Sequence, residues 1–209
     1  MTLSVAGLAG GCAGWSAAPL TERYCGPVTP RRRIALAVTA AVVVVSLTWR
    51  LGVGAELVAF AYFGVVGCLL AVVDIAVKRL PDLFTLPSYA VGIVLLGMAA
   101  LVVEDGLFRF VHALLGMAAL WACYAVQHYL RPDAMGRGDV KLSGVVGLHL
   151  GWLGQAPWVT GVLAGLLLGA SFALAGLLLG RAGRKDELPF GPFMLAGALL
   201  GVMAGGSLA

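Results

Sequence analysis

The sequence predicts an all-α protein that lies in a membrane and crosses it about eight times. Of the 209 residues, 61% are hydrophobic and only 11% are charged, and the mean hydropathy is +0.98. Charged residues make up about a quarter of a soluble domain. The apolar residues also form runs close to the ~20 residues that a helix needs to cross the hydrocarbon core of a bilayer. A polytopic membrane protein is therefore expected.

Eight apolar runs define the predicted transmembrane helices. They cover residues 3–20, 34–49, 52–77, 83–103, 107–129, 140–156, 158–180 and 189–208. The first and sixth runs are the least clear, because both are short and rich in glycine. No repeat or long linker interrupts them, so we expect residues 1–209 to form a single integral-membrane domain.

The basic residues predict how these helices are oriented, because Lys and Arg collect in short cytoplasmic loops. In the eight-helix arrangement, 12 of the 14 basic residues fall in alternate loops, namely Arg23, Arg31, Arg32, Arg33, Lys78, Arg79, Arg131, Arg137, Lys141, Arg181, Arg184 and Lys185. Only Arg50 and Arg109 fall in the opposite loops. We therefore expect both termini outside, and we attribute the net charge of +4 to topology and to attraction by lipid headgroups rather than to a nucleic-acid partner.

Two of the predicted helices carry glycine at every fourth position. The glycines are Gly161, Gly165 and Gly169 in the seventh run, and Gly197, Gly201 and Gly205 in the eighth. Small residues on one stripe let helix backbones approach closely within a membrane. The pattern predicts helix packing and no chemistry.

Two acidic residues lie at the ends of apolar runs, where an acid is costly and usually faces a cavity or a partner. Asp74 lies near the end of the third run and four residues before Lys78, so a salt bridge along the helix is one explanation. Asp139 begins the sixth run after Gly136 and Gly138, and it could be only an N-cap preceded by a sharp glycine turn. Neither acid predicts a site by itself.

Together, Asp74 and Asp139 predict a hydrolytic pair. The charge distribution puts both at the cytoplasmic ends of their helices. Two nearby carboxylates can share one proton, so that the ionised acid activates water and the protonated acid polarises the scissile carbonyl. Gly136 and Gly138 would let an extended peptide approach, although simple turn formation remains an alternative. The sequence therefore indicates an aspartic protease in the membrane.

The other acids and the histidines are expected to have structural roles. Glu56, near the outer end of the third run, can snorkel or form a local hydrogen bond, and Asp82 follows Pro81 and is expected to cap the next helix. His149 is ten residues beyond Asp139. That separation is about 15 Å along a helix, too far to join the pair. His112 and His128 lie near opposite ends of the fifth run, and we expect structural roles for them also.

The four cysteines, Cys12, Cys25, Cys68 and Cys123, have no paired C-x-x-C spacing. Neither a zinc site nor a disulfide framework is therefore supported. We expect the protein to need no metal and no cofactor.

Three segments in order resemble the type IV prepilin leader peptidases. Residues 135–142, MGRGDVKL, resemble the G-x-G-D segment of this family. Asp74 followed by residues 80–87, LPDLFTLP, resembles its first aspartate segment. Residues 188–193, LPFGPF, resemble its C-terminal P-F-G-P-F block.

The resemblance implies a membrane aspartic endopeptidase of the bacterial plasma membrane. Such an enzyme removes the short basic leader from type IV prepilins or pseudopilins at the cytoplasmic face, with the pilin stem held beside its helices. Asp74 and Asp139 would be the catalytic pair. The residues implied for substrate binding are Gly136, Gly138, Lys141, Pro189, Phe190 and Gly191. The expected partners are the leader peptide and membrane lipids.

The sequence also departs from the longer members of this family. Those members carry a cytoplasmic domain with paired C-x-x-C motifs that is tied to N-methylation of the new terminus. Here residues 21–33 take its place and contain Cys25 alone, so we expect a short form with no separate cysteine-rich domain and no methyltransferase activity.

Three alternatives remain open at this point. The first is a small transporter or channel subunit in which Asp74 binds a cation or relays protons. The second is a non-catalytic relative that binds pilin stems. The third is an intramembrane protease of the presenilin type, which shares G-x-G-D but has a Tyr-Asp pair and a P-A-L block. Here Val73 precedes Asp74, and Pro189-Phe190 stands at the end.

Overall fold

The computed structural model describes residues 1–132, 135–180 and 189–205, and all the regular elements in these ranges are helical. The helices are α1 (Thr2–Ala17), α2 (Glu22–Cys25), α3 (Pro30–Leu51), α4 (Ala55–Val77), α5 (Asp82–Ala100), α6 (Gly106–Leu130), α7 (Arg137–Trp152), α8 (Gln155–Leu178) and α9 (Gly191–Ala204). A 3₁₀ turn, Ala18–Thr21, separates α1 from α2. The predicted all-α class is confirmed.

Five of these helices, α3, α4, α5, α6 and α8, are long and apolar enough to cross a membrane. The protein is therefore a polytopic membrane protein. The helices α1 and α7 have 16 residues each, and α9 has 14. At the α-helical rise, a helix of that length covers about 21–24 Å of a hydrocarbon core of about 30 Å. The number of eight crossings accordingly stays a prediction.

Each predicted apolar run corresponds to one of the helices α1 and α3–α9, but several boundaries differ. The third run begins at residue 52, whereas α4 begins at Ala55, because Gly52 has a positive φ of 74° and Gly54 is the extended N-cap. The sixth run begins at residue 140, but α7 already begins at Arg137. The eighth run ends at residue 208, of which positions 206–208 lie outside the described residues.

The glycine stripes of α8 and α9 face each other, as their spacing predicts. A Cβ atom on Gly197 would lie 2.5 Å from the Cα atom of Gly165, and one on Gly201 would lie 2.7 Å from the Cα atom of Gly161. Contacts this short leave no space for a side chain on either helix. The α8–α9 interface is therefore backbone against backbone.

The short, glycine-rich helix α7 lies at the centre of the molecule. Every residue from Leu142 to Trp152 is buried, and α7 contacts α5, α6, α8 and α9. Because α7 is surrounded by protein, its low hydropathy carries no penalty from lipid. The buried part of α7 thereby anchors the first turn of the helix, in which Asp139 is half-buried and Arg137 is exposed.

Glu56 lies near the start of α4 in a buried ion pair. Its Oε2 atom is 3.7 Å from Nη1 of Arg109 and accepts a hydrogen bond from Nε1 of Trp152 at 3.3 Å. Only 7% of Glu56 is exposed. The expectation that Glu56 snorkels or bonds locally is wrong, because its partners come from α6 and α7.

Candidate active site

Asp74 lies in the last turn of α4 and is 4% exposed. The helix ends at Val77, and its C-cap residue Lys78 adopts the left-handed conformation with φ 52° and donates its backbone N–H to the Asp74 carbonyl. The salt bridge proposed between these two residues is wrong. The ion pairs found within the described parts of the chain are Arg109–Glu56 and Lys141–Asp82.

The carboxylate of Asp74 is bound by the N-terminus of α9. The Gly191 N–H, at the first residue of α9, donates to Oδ2 of Asp74 at 3.0 Å. A helix N-terminus has free N–H groups and a partial positive charge, so it stabilises an acid placed there. A Cβ atom on Gly191 would lie only 2.9 Å from the same oxygen, which explains why a glycine stands at this position.

Asp139 lies in the first turn of α7, and Gly136 is the N-cap residue of that helix. The carboxylate of Asp139 lies beside this N-cap residue, since a Cβ atom on Gly136 would be 3.1 Å from Oδ2 of Asp139. The alternative that Asp139 is itself the N-cap is therefore wrong.

The two glycines before Asp139 are not required for a sharp turn. Gly136 is extended, with φ −68° and ψ 144°, and Gly138 is not among the glycines of positive φ. Gly138 is required for space, since a Cβ atom there would lie 2.8 Å from Cβ of Leu80. The turn explanation of this motif is therefore wrong, and a close helix-to-loop contact replaces it.

Leu80 connects the surroundings of the two aspartates. It lies in the loop between α4 and α5, and only 7% of it is exposed. Its backbone and Cβ contact Gly138, next to Asp139, and its Cδ2 contacts Gly191, which binds Asp74. The fold thus brings Asp74 and Asp139 together across Leu80.

Asp82 is the first residue of α5, but Pro81 is its N-cap and no side chain caps this helix. The predicted capping role of Asp82 is therefore wrong. Its Oδ1 atom instead accepts from Nζ of Lys141 at 2.6 Å. The α5 residue Tyr89 also donates its hydroxyl to the Lys141 carbonyl at 2.5 Å. Lys141 is thus held by α5 through both its side chain and its backbone.

Two aromatic contacts between distant parts of the chain were not anticipated from the sequence. Tyr124 of α6 is 4% exposed, and its ring centroid lies 6.4 Å from that of Phe190. Tyr24 of α2 packs edge-on against Phe84 of α5 at 6.0 Å. No spacing rule connects these residues, because each comes from a helix distant in sequence. Pro189 and Phe190 themselves are half-buried before α9.

The three histidines make other contacts, as expected for structural roles. His149 is 1% exposed, stacks on Phe63 at 4.3 Å and bonds the Val145 carbonyl through Nδ1. The Nδ1 atoms of His112 and His128 lie 2.9 and 2.8 Å from the carbonyls of Phe108 and Met135.

A sequence model described as the type IV leader peptidase family matches residues 61–203. The chain belongs to this family. The matched range contains both aspartates and all three of the segments that resemble the family. The G-x-G-D segment forms the start of α7, the first aspartate segment runs from the end of α4 into α5, and the C-terminal block forms the start of α9. Leu188 of that last block lies outside the described residues.

Relatives of the chain have names that agree with the family. The chain is 30% identical over 162 residues to "Prepilin leader peptidase/N-methyltransferase" of Bacillus subtilis (strain 168), covering 76% of this chain and 60% of that protein. It is 35% identical over 144 residues to a protein of the same name from Burkholderia pseudomallei (strain K96243), covering 66% and 44%. For the Escherichia coli (strain K12) relative, the identity is 30% over 143 residues, covering 68% and 60%.

The chain thus spans about half of the length of the relatives it matches. No solved structure matches it significantly.

Proposed function

We propose that this protein is a membrane aspartic endopeptidase that removes the N-terminal leader of type IV prepilins or pseudopilins. The observation that carries the proposal is that one buried residue, Leu80, packs both on Gly138, next to Asp139, and on Gly191, which binds Asp74. Membership of the leader peptidase family supports this substrate class. The relatives named as prepilin leader peptidases support it as well.

The proposed chemistry uses the two carboxylates with one proton between them. The ionised acid takes a proton from water as the water attacks the scissile carbonyl, while the protonated acid hydrogen-bonds the carbonyl oxygen. Collapse of the tetrahedral intermediate then returns a proton to the leaving amine. The Gly191 N–H holds one oxygen of Asp74, which orients that carboxylate and leaves its other oxygen for this work.

The residues proposed for substrate binding divide into two groups. Gly136 is exposed and Pro189 and Phe190 are half-buried, so these three can line the path of an extended leader peptide. Gly138 and Gly191 pack against Leu80 and Asp74, and their lack of side chains chiefly preserves the geometry of the pair. The hydrophobic stem of the substrate would lie among lipid beside the bundle.

We further propose that the site works at the cytoplasmic side of the bacterial plasma membrane. Lys78 and Arg79, just after Asp74, and Arg137, just before Asp139, are all exposed. Basic residues of this kind collect on the cytoplasmic side. Three further basic residues invoked for this side, Arg181, Arg184 and Lys185, lie outside the described residues.

The relatives' names also include N-methyltransferase, and we propose that residues 1–209 act as a single peptidase domain without that second activity. The paired C-x-x-C motifs tied to methylation do not occur in this sequence, and its four cysteines are scattered. A pilin processed by this protein alone should carry an unmethylated new terminus.

The proposed activity can be tested by co-expressing the protein with a candidate prepilin and following the leader by mass spectrometry. We expect Asp74→Asn and Asp139→Asn each to reduce processing by about 10²–10⁴-fold, the range that positioned acid–base groups contribute. Glu104→Gln, an exposed acid between α5 and α6, is the matched control and should process like the unmodified protein.

The interpretation requires equal amounts of each variant in the membrane. Processing that survives either aspartate change would remove the dyad from the mechanism. The same spectra show whether the new terminus gains the mass of a methyl group, which would contradict the single-activity proposal.

A further inference from the structure

An ion pair joins the two segments that carry the aspartates. Nζ of Lys141 lies 2.6 Å from Oδ1 of Asp82, and the two side chains are 34% and 57% exposed. Asp82 is eight residues after Asp74, and Lys141 is two residues after Asp139. The pair therefore ties the chain leaving one catalytic acid to the helix that begins with the other.

Tyr89 makes a second bond to the same lysine. Its hydroxyl donates to the Lys141 carbonyl at 2.5 Å, and its ring occupies the space that a side chain on Gly144 would need. A carbonyl has two lone pairs, so this bond adds to the helical one rather than replacing it. We call Asp82, Tyr89 and Lys141 the α5–α7 latch.

The latch holds Leu80 in place. Leu80 is two residues before Asp82 and packs on Gly138, where a Cβ atom would lie 2.8 Å from its own Cβ. Its Cδ2 would lie 3.2 Å from a Cβ on Gly191, the residue that binds Asp74. A shift of Asp82 relative to Lys141 would therefore move Leu80, and with it the separation of the two carboxylates.

We propose that Lys141 and Asp82 are positioning residues that hold Asp74 and Asp139 at their working separation. In this role Lys141 acts on the catalytic pair and does not contact the peptide. The proposal rests on the proposed peptidase function for its kinetic consequences. It differs from the role that the family resemblance implies for Lys141, which is substrate binding.

The two roles predict different kinetics. An exposed ion pair contributes little to folding stability, whereas a misplacement of about 1 Å at a reacting pair can reduce the rate by about 10²-fold. Loss of the latch should therefore reduce kcat and leave the folded protein in the membrane. Loss of a lysine that only binds substrate should raise KM with kcat unchanged.

The test compares Lys141→Met, Asp82→Asn, Lys141→Arg and the exchange variant Lys141→Asp/Asp82→Lys on a purified prepilin. We expect kcat to fall about 10²-fold in the first two with KM unchanged. Lys141→Arg should keep most of the activity, and the exchange should recover at least tenfold over either single change. Arg131→Met and Glu104→Gln, both exposed and outside the site, are the charge-matched controls.

A second measurement does not depend on activity. Nitroxide labels on Val77→Cys and Arg137→Cys, two exposed positions beside the aspartates, report the separation of α4 and α7 in a background without the native cysteines. We expect a broader distance distribution in Lys141→Met and a narrow one in the exchange variant.

The outcomes separate the two proposals. If the unmodified protein cleaves no prepilin, the proposed function fails, while the labels still test the latch. An unchanged distance distribution in Lys141→Met, or a rise in KM alone, overturns the positioning role.

Discussion

Gly191 shows how little space surrounds Asp74. A Cβ atom at this position would lie 2.9 Å from Oδ2 of Asp74 and 3.2 Å from Cδ2 of Leu80. Both neighbours are buried, since Asp74 is 4% and Leu80 is 7% exposed. We expect Gly191→Ala to displace the carboxylate and to slow leader removal about 10²-fold, measured with purified protein and prepilin.

The matched control for this change is Gly11→Ala in α1. A Cβ atom on Gly11 would lie 3.7 Å from the Ala37 carbonyl oxygen and from the Ala41 methyl group, which is ordinary contact. Alanine is also the better helix former. We expect the control to process at the unmodified rate, and an equal rate for Gly191→Ala would contradict the proposed packing around Asp74.

The aspartates could be predicted from the sequence, but their partners could not. An acid at the end of an apolar run can be recognised as a candidate site residue from the sequence, because a charged side chain in a membrane-spanning helix costs free energy. Its contacts depend on tertiary structure, since Gly191 is 117 residues from Asp74. The four-residue spacing along a helix predicted Lys78 as the salt-bridge partner of Asp74. This prediction is wrong, because Lys78 leaves the helix in a left-handed conformation.

At the scale of elements, the hydropathy pattern located the long apolar helices. It did not locate the charged first turn of α7 or the short helix α2. The start of α7 was missed because the charged residues Arg137 and Asp139 precede the apolar run. The four-residue helix α2 was missed because it is short and polar. One of the two least clear apolar runs is thus the helix that carries Asp139. Its low hydropathy is tolerated because protein rather than lipid surrounds it.

The buried acid Glu56 joins three helices through its ion pair with Arg109 and its hydrogen bond from Trp152. Arg109→Met would leave this acid of α4 without its cationic partner, with only the Trp152 indole N–H to bind it. Breaking a fully buried pair costs about 3–5 kcal/mol, and the partial exposure of Arg109 lowers this cost, so we expect a loss of about 1–3 kcal/mol. Thermal unfolding in detergent measures the change.

The double variant Glu56→Gln/Arg109→Met tests the cause of that loss. A neutral Gln can still accept from the Trp152 indole, so most of the stability should return. The two substituted residues are in contact, so their effects on the free energy of unfolding are expected to couple rather than to add. If Arg109→Met proves as stable as the unmodified protein, the ion pair does not hold these helices together.

At the scale of the whole molecule, four helix ends meet on one face. The end of α4 and the starts of α5, α7 and α9 are joined there by the contacts of Leu80 with Gly138 and Gly191 and by the Asp82–Lys141 pair. This arrangement requires the helices between them to return the chain to the same face. The distribution of basic residues predicts that this face is cytoplasmic. Because the contacts gather the segments of both aspartates on this face, the prediction applies to the site as well.

Cysteine labelling of intact cells tests that orientation. In each of four variants, one cysteine replaces Val53, Glu104, Arg79 or Arg131. Val53 and Glu104 are exposed in the loops predicted outside, and Arg79 and Arg131 are exposed on the face of the aspartates. The four native cysteines are removed first, because two of them are exposed. A membrane-impermeant maleimide should label the first two positions in intact cells and the last two only after lysis. Labelling of Arg79→Cys in intact cells would put the carboxylate pair on the outer face, where cytoplasmic prepilin leaders do not reach it.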